Sequence, residues 1–160
     1  MLDDIYNARI LALAADIPRL GRLPAPGASA SKHSKLCGST VTVDIATQGD
    51  TVTDFAHDVK ACALGQAASS LMARHAVGAS PDELRSLRET VRRMLKEGGP
   101  APEGKFADFA VLEPVRDFKA RHASTLLTFD AVVDALDQIA AKGATEGATE
   151  GATKTEAVPA

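Results

Sequence analysis

Apolar residues recur along the chain first at helical spacing, then in strict alternation with polar ones, then at helical spacing again, and this order predicts an α+β domain. Residues 3–16 predict an amphipathic helix, with Asp3 and Asp4 at its positive end and Ile5, Ala8, Leu11 and Ala15 on one face. Pro18, Pro24, Pro26, Gly21 and Gly27 then punctuate a stretch to Ser34 that reads as a loop. Residues 39–46 alternate, with Val41, Val43 and Ile45 on one face and Thr40, Thr42 and Asp44 on the other, as in a half-buried antiparallel strand. A turn at Gln48-Gly-Asp50 leads into a second strand region over 51–60, either continuous or bent into two short strands. The next helix begins near Cys62 and reaches about His75, its small face made of Gly65, Ala68, Ser69 and Met72, with Gly78 ending it. Ser80-Pro-Asp-Glu83 is a capping box that opens a further helix, with Leu84, Leu87, Val91, Met94 and Leu95 as its buried stripe and Gly98-Gly-Pro100 as its stop. A short helix over 106–112, broken by Pro114, precedes a long one over 119–142 that turns Leu126, Phe129, Val133, Leu136 and Ile139 or Ala140 inward. The expected architecture is a small antiparallel sheet of about three strands packed against several helices.

From residue 143 the pattern stops. Gly143-Ala-Thr-Glu, Gly147-Ala-Thr-Glu and Gly151-Ala-Thr-Lys form a tandem repeat without bulky apolar residues, so 143–160 reads as a disordered tail and 1–142 as one domain. A chain of 160 residues can bury a sizeable core. Its net charge of −3 carries no electrostatic footprint for nucleic acid. The apolar runs fall far short of a membrane span, and Met1-Leu-Asp-Asp is acidic where a secretory leader would be basic, so the expected location is cytoplasmic with no membrane partner.

Candidate chemistry centres on the two cysteines. Cys37 precedes the first predicted strand and Cys62 stands at the mouth of a predicted helix. The first helical turn has unpaired N–H groups and the positive end of the macrodipole, which favour a thiolate, the form that binds soft metals or accepts sulfur. The competing reading makes Cys62, among Val59, Ala61, Ala63 and Leu64, a small buried hydrophobe. In a reducing compartment the pair reads as free thiols or metal ligands in preference to a disulfide.

Four segments together resemble a known family. Cys37-Gly-Ser39 with its alternating strand resembles the Cys-Gly-Asp entry of the IscU/SufU/NifU N-terminal family of iron–sulfur cluster scaffolds, and Cys62 with Ala67-Ala-Ser-Ser-Leu-Met72 is similar to that family's second cysteine and small-residue helix. Ile17-Pro-Arg-Leu-Gly21 resembles the family's Asn-Pro-Arg segment, and residues 115–131 resemble the SufU-type segment that carries the third cysteine. The likeness covers about residues 3–140. Family scaffolds present three cysteines and an aspartate, whereas Ser39 stands here at the aspartate position and Ser124 at the third cysteine.

The resemblance implies a non-enzymatic scaffold-like protein of iron–sulfur cluster assembly. It would hold iron, zinc or a nascent cluster through Cys37 and Cys62, with Ser39, Ser124 and His122 as weaker metal candidates. Sulfur would come from a cysteine desulfurase, with Cys37 or Cys62 as acceptor and Arg121 supporting a thiolate or persulfide. Cluster-accepting apoproteins are the implied recipients, and a homodimer could share the cargo. Leu112-Glu-Pro-Val-Arg116 resembles the family's chaperone-recognition segment, with Glu113 in place of a proline. Two alternatives accompany this reading: a metal-free protein-binding module, supported by the missing third cysteine, and a persulfide relay. His33 has the same candidate standing as His122, while His57 and His75 read as strand-face and helix-end residues.

Overall fold

A computed structural model describes the backbone of residues 7–36 and 38–153, with side chains described through Gly143. Helix α1 (Ala8–Ala15) leads through an extended segment to strands β1 (Ala28–Ser34), β2 (Ser39–Gln48) and β3 (Thr51–Lys60). Helices α2 (Ala63–His75) and α3 (Pro81–Glu97), a 3-10 run over Gly104–Asp117, a 3-10 turn at Lys119–Arg121 and helix α4 (His122–Thr153) complete the order. The sheet is antiparallel in the order β1-β2-β3, and the helices cover its apolar face. No helix among the described residues is long and apolar enough to cross a membrane.

The alternation in β2 and the capping box of α3 are as the sequence predicts. Val41, Val43 and Ile45 are fully buried. The Ser80 hydroxyl accepts from the Glu83 N–H and the Glu83 carboxylate accepts from the Ser80 N–H, while Gly98 closes the helix in the left-handed conformation. Strand β3 is continuous, with an irregularity in its pairing with β2 at Ala46/Thr47 absorbing the twist.

The stretch expected to be loop contains strand β1. Its residues are poor strand formers, but Ala28 and Ala30 face the core at 4% and 7% exposure and are small enough for α4 to lie directly on them. A Cβ on Gly27 would sit 3.2 Å from the Ile139 side chain, so the helix approaches the entry to β1 as closely as a glycine allows. Three polar contacts fix this edge: the Gln138 amide donates to the Ser29 carbonyl (3.0 Å), Lys142 donates to the Gly27 carbonyl (2.6 Å), and Lys32 pairs with Asp134 (3.1 Å).

Other expectations shift by a face or a boundary. In α1 the buried residues are Ile10 and Leu13, while Leu11 is 49% exposed, because α1 packs against α2 through that side; Asp3, Asp4 and Ile5 lie outside the described residues. The expected break at Pro114 does not occur. The run is kinked at Phe106, and its 3-10 part beyond the kink carries through Pro114 and presents Phe109, Leu112 and Val115 to the core at a spacing of three, matching three residues per turn. In α4, Val132 and Ala135 are buried with Leu126, Phe129 and Leu136, whereas Val133 is half-buried and Ala140 exposed. Helix α4 also continues past Lys142 to Thr153, since adding residues to a formed helix is far easier than starting one. Residues 154–160 lie outside the described ones.

Asp44 departs furthest from its expected environment. It points to the polar face of β2 yet is 1% exposed, because the segment entering β1 folds over it. Arg22 donates two hydrogen bonds to its carboxylate (2.8 and 2.9 Å), the Leu23 N–H a third (2.9 Å) and the Ser29 hydroxyl a fourth (2.6 Å). Burial alone would push this carboxyl up, but the donors and the guanidinium charge outweigh it and hold the pKa at about 2.

The same segment is clamped by His57, which is fully buried on β3. Its Nε2 lies 2.8 Å from the Pro18 carbonyl, its backbone carbonyl accepts from the Gly21 N–H, and its N–H donates to the Arg19 carbonyl. Arg19 adopts φ +61°, a left-handed conformation costing about 1 kcal/mol, which these bonds offset. Among the described residues His57 Nδ1 has no partner, and burial pushes the imidazole pKa down against the opposing pulls of the Pro18 carbonyl and Asp58. The unfolded chain therefore takes up a proton near the ordinary value of 6.5 before the folded chain does. Stability is expected to be full above that pH and to decline as pH falls below it. Denaturation midpoints from pH 8 to pH 5 should show this slope in the native chain and lose it in His57→Gln; an unchanged slope in the variant would assign it elsewhere.

Candidate functional site

The end of the sheet where β1 meets β2 and β3 meets α2 gathers most of the candidate residues. Ser34 pairs with Ser39, the Gly38 N–H closes the connecting loop onto the Ser34 carbonyl (2.8 Å), and Thr40 pairs with Lys60, two residues before Cys62. Cys37, in that loop by sequence, lies outside the described residues. Ser39 is buried at 3% exposure as the first residue of β2.

Cys62 is the N-cap of α2, as its sequence position predicts. Its carbonyl accepts from the Gln66 N–H (2.8 Å), while its half-buried side chain caps no backbone N–H and turns toward the start of α4. The thiol donates to the Ser124 hydroxyl at 3.6 Å, and Ser124 in turn donates to the Arg121 carbonyl at 3.2 Å. Thr125 donates to the same carbonyl at 2.7 Å, fixing the 3-10 turn against the first turn of α4. Two positions 62 residues apart are thus in side-chain contact.

Gly65 makes this contact possible, and sequence reasoning saw it only as one member of a small face. A Cβ there would stand 2.7 Å from the Ala61 side chain and 3.2 Å from the Ser124 carbonyl, so α2 and α4 meet at the thiol because residue 65 has no side chain. Gly65→Ala is expected to cost about 1–3 kcal/mol by overpacking and to move Cys62 away from Ser124. Thermal unfolding together with the rate of thiol alkylation checks this, and an unchanged alkylation rate would argue that the helices do not shift.

His122 is buried at 5% exposure, not a surface or hinge residue. Its Nε2 lies 3.1 Å from both the Val115 and the Arg116 carbonyl, so that nitrogen carries a proton shared between them and only Nδ1 remains for any ligand role. Arg121 is half-exposed and makes no ion pair among the described residues. His33 Nδ1 meets the Thr40 hydroxyl (2.9 Å), and His75 meets Asp108 (3.2 Å) while packing its ring on Phe109; neither joins Cys62. In the chaperone-like segment, Leu112 and Val115 are core residues and Glu113 pairs with Arg116 (3.6 Å).

Among the described residues no three His, Cys, Asp or Glu side chains converge on one point. The 3.6 Å hydrogen bond at Cys62 also falls near the separation of two donor atoms bound to one ion. Two sulfurs bound to one tetrahedral zinc at about 2.3 Å stand about 3.8 Å apart, close to the 3.6 Å between Cys62 Sγ and Ser124 Oγ.

Comparison with known proteins adds an independent line. A family model described as the NifU-like N terminal domain matches residues 5–125. The iron–sulfur cluster assembly scaffold protein IscU of Thermotoga maritima is 26% identical over 103 residues, covering 64% of this chain and 72% of its own length. The crystal structure of a nitrogen-fixing NifU-like protein (N-terminal) from Brucella abortus is 64% identical, with a TM-score of 0.87, over 88% of this chain and 98% of that one. FiSufU from Fervidobacterium islandicum AW-1 shares the fold at a TM-score of 0.78 and 20% identity, over 84% of this chain and 98% of its own.

Proposed function

The chain belongs to the NifU-like N-terminal domain family, and on that premise we propose that it serves iron–sulfur cluster assembly as a scaffold-like protein, with Cys62 and Cys37 taking sulfur from a cysteine desulfurase and holding iron, zinc or a nascent cluster. The observation that carries this reading is the Cys62–Ser124 contact. It supports joining the positions matched to the family's second and third cysteines at ligand spacing, at the sheet end where β2 also begins.

In sulfur acceptance, deprotonated Cys62 attacks the outer sulfur of the desulfurase persulfide. A new S–S bond forms on Cys62, the S–S bond of the donor breaks, and the donor thiolate leaves. Once Cys62 is deprotonated, the Ser124 hydroxyl beside it can turn its proton from the Arg121 carbonyl to the thiolate and orient that sulfur, and Arg121, which makes no ion pair among the described residues, supplies positive charge at the same end. The cluster is cargo. It is assembled from iron and delivered sulfur and passed to cluster-accepting apoproteins in the cytoplasm, so the protein itself turns over no substrate.

Ser39 and Ser124 support a second reading, a persulfide relay or a metal-free protein-binding module, because serine hydroxyls are poor ligands for iron and zinc. Metal and acid-labile sulfide content of anaerobically purified protein, beside Cys37→Ser and Cys62→Ser, separates the two. Near-stoichiometric metal that disappears in both variants supports the scaffold reading. Metal-free protein even after anaerobic reconstitution leaves the relay or the binding module, which desulfurase stimulation with and without each cysteine then divides.

A further inference from the structure

A groove of about 520 Å³ lies between the first half of α3 and the segment that leads into the 3-10 run. Its wall is apolar. Leu87 and Pro102 are buried in it, while Pro100, Ala101 and Phe106 keep part of their surface open to water. The kink at Phe106 (φ −104°, ψ 17°) turns that side chain out of the 3-10 pattern, and its ring packs T-shaped against His75 and Phe109, which holds it in place at the groove. The α3 wall begins beside Asp137, which Arg85 pairs with, about 20 Å along α4 from Ser124. A molecule seated here leaves the cysteine end free.

The rim of the groove is acidic. Asp82, Glu83 and Glu103 line it, and among the described residues no lysine or arginine does. Asp82 reaches Arg85 at 3.4 Å with a side chain that is almost fully exposed, and Glu103 makes no ion pair among the described residues. Glu83 shows what the rim attracts. The Lys105 ammonium lies 2.8 Å from its carboxylate and 5.5 Å from the centre of the Phe106 ring, so two wall residues together already hold a cation supplied by the chain itself. A carboxylate beside an aromatic face is the chemistry that recognises lysine and arginine. Lys105 is itself half-exposed and held from outside the wall, so an incoming cation competes with it for one position.

We propose that this groove docks a basic segment of a partner protein, one that carries lysine or arginine next to aliphatic side chains. The aliphatic side chain packs between Leu87, Pro102 and Phe106, one cation displaces Lys105 from Glu83 and the Phe106 ring, and a second pairs with Glu103. The same rim repels nucleic acid and anionic lipid, whose charge it shares.

The test is titration of the isotope-labelled full chain with the peptide Lys-Leu-Lys-Leu-Lys, followed through backbone amide resonances, beside Lys-Ser-Lys-Ser-Lys and Glu-Leu-Glu-Leu-Glu. Saturable shifts centred on Ser86, Leu87, Ala101 and Phe106 are expected with the first peptide, and binding about tenfold weaker with the other two. Phe106→Ala and Glu103→Lys, each confirmed folded by its thermal unfolding, are expected to weaken the first peptide about fivefold or more. Lys105→Ala is expected to tighten it about threefold by freeing Glu83 and the ring, whereas Lys96→Ala, which removes the same charge from the last turn of α3, leaves it unchanged. Should Phe106→Ala not fold, the exposed positions Glu103 and Lys105 decide the matter. Shifts scattered over the surface, no saturable binding, a serine peptide that binds as well as the leucine peptide, or a Lys105→Ala chain no different from Lys96→Ala overturns the proposal. Self-association of the native chain that Glu103→Lys abolishes assigns the groove to a second copy and overturns it as well. None of these results bears on sulfur acceptance at Cys62.

Discussion

Ser124→Cys is expected to raise the iron or zinc retained through anaerobic purification by about tenfold or more, because a thiolate replaces a hydroxyl beside Cys62 at a spacing that suits two ligands of one ion. The substitution needs little rearrangement. Ser124 is 1% exposed and already turned to the thiol, so the larger sulfur is accommodated by a small shift along the same direction. The double variant with Ser39→Asp completes the family's ligand set and is expected to retain more metal still, with tetrahedral thiolate coordination visible in the absorption of a cobalt-substituted sample. Elemental analysis per chain reads the result. Folded Ser124→Cys protein with no more metal than the native chain would mean that the Cys62–Ser124 contact is not a ligand arrangement, and the relay or binding-module reading would then stand.

Asp44→Ala is expected to lower stability by about 2–4 kcal/mol, and the melting temperature by about 5–12 °C for a chain of this size. Little of this comes from the Arg22 charge, since that side chain is 57% exposed and water takes over its solvation. The loss comes from the Leu23 N–H and the Ser29 hydroxyl, which would be left without their acceptor under the same cover. Arg22→Ala is accordingly the milder change, about 1 kcal/mol. The carboxyl of Asp44 is held at about 2 against an ordinary 3.8, so the unfolded chain binds the proton first as pH falls. Its contribution, about 2 kcal/mol, is full above pH about 5 and is lost as pH falls from about 4 through about 2. Melting curves of the native chain and Asp44→Ala over that range should converge. A variant that melts within a degree or two of the native chain would show that the segment over Asp44 is held by other contacts.

The contrast between β2 and β1 shows what the chain makes legible and what it hides. Val41, Val43 and Ile45 announce their strand by alternation, because large apolar residues on one side leave a helix no use for the pattern. Ala28 and Ala30 alternate too, but at a size that local propensity does not notice; β1 is a strand because α4, more than a hundred residues later, needs a flat small surface there. Asp44 misleads for the same reason, as its donors stand 15 to 22 positions away. At the candidate site the cysteine at a helix start was readable from Cys62 and its small neighbours. The buried state of His122 was not, because the carbonyls of Val115 and Arg116 that hold it come from a 3-10 run that Pro114 seemed to forbid.

The contact between Cys62 and Ser124 also has a consequence in time. The two residues are 62 positions apart, and a ribosome adding about 5–20 residues per second needs about 3–12 s to go from one to the other. During that interval the nascent chain carries Cys62 with neither its serine partner nor the helix that shields one side of it. The thiol is most open to oxidants and stray metal before the protein is finished, and the completion of α4 closes that window.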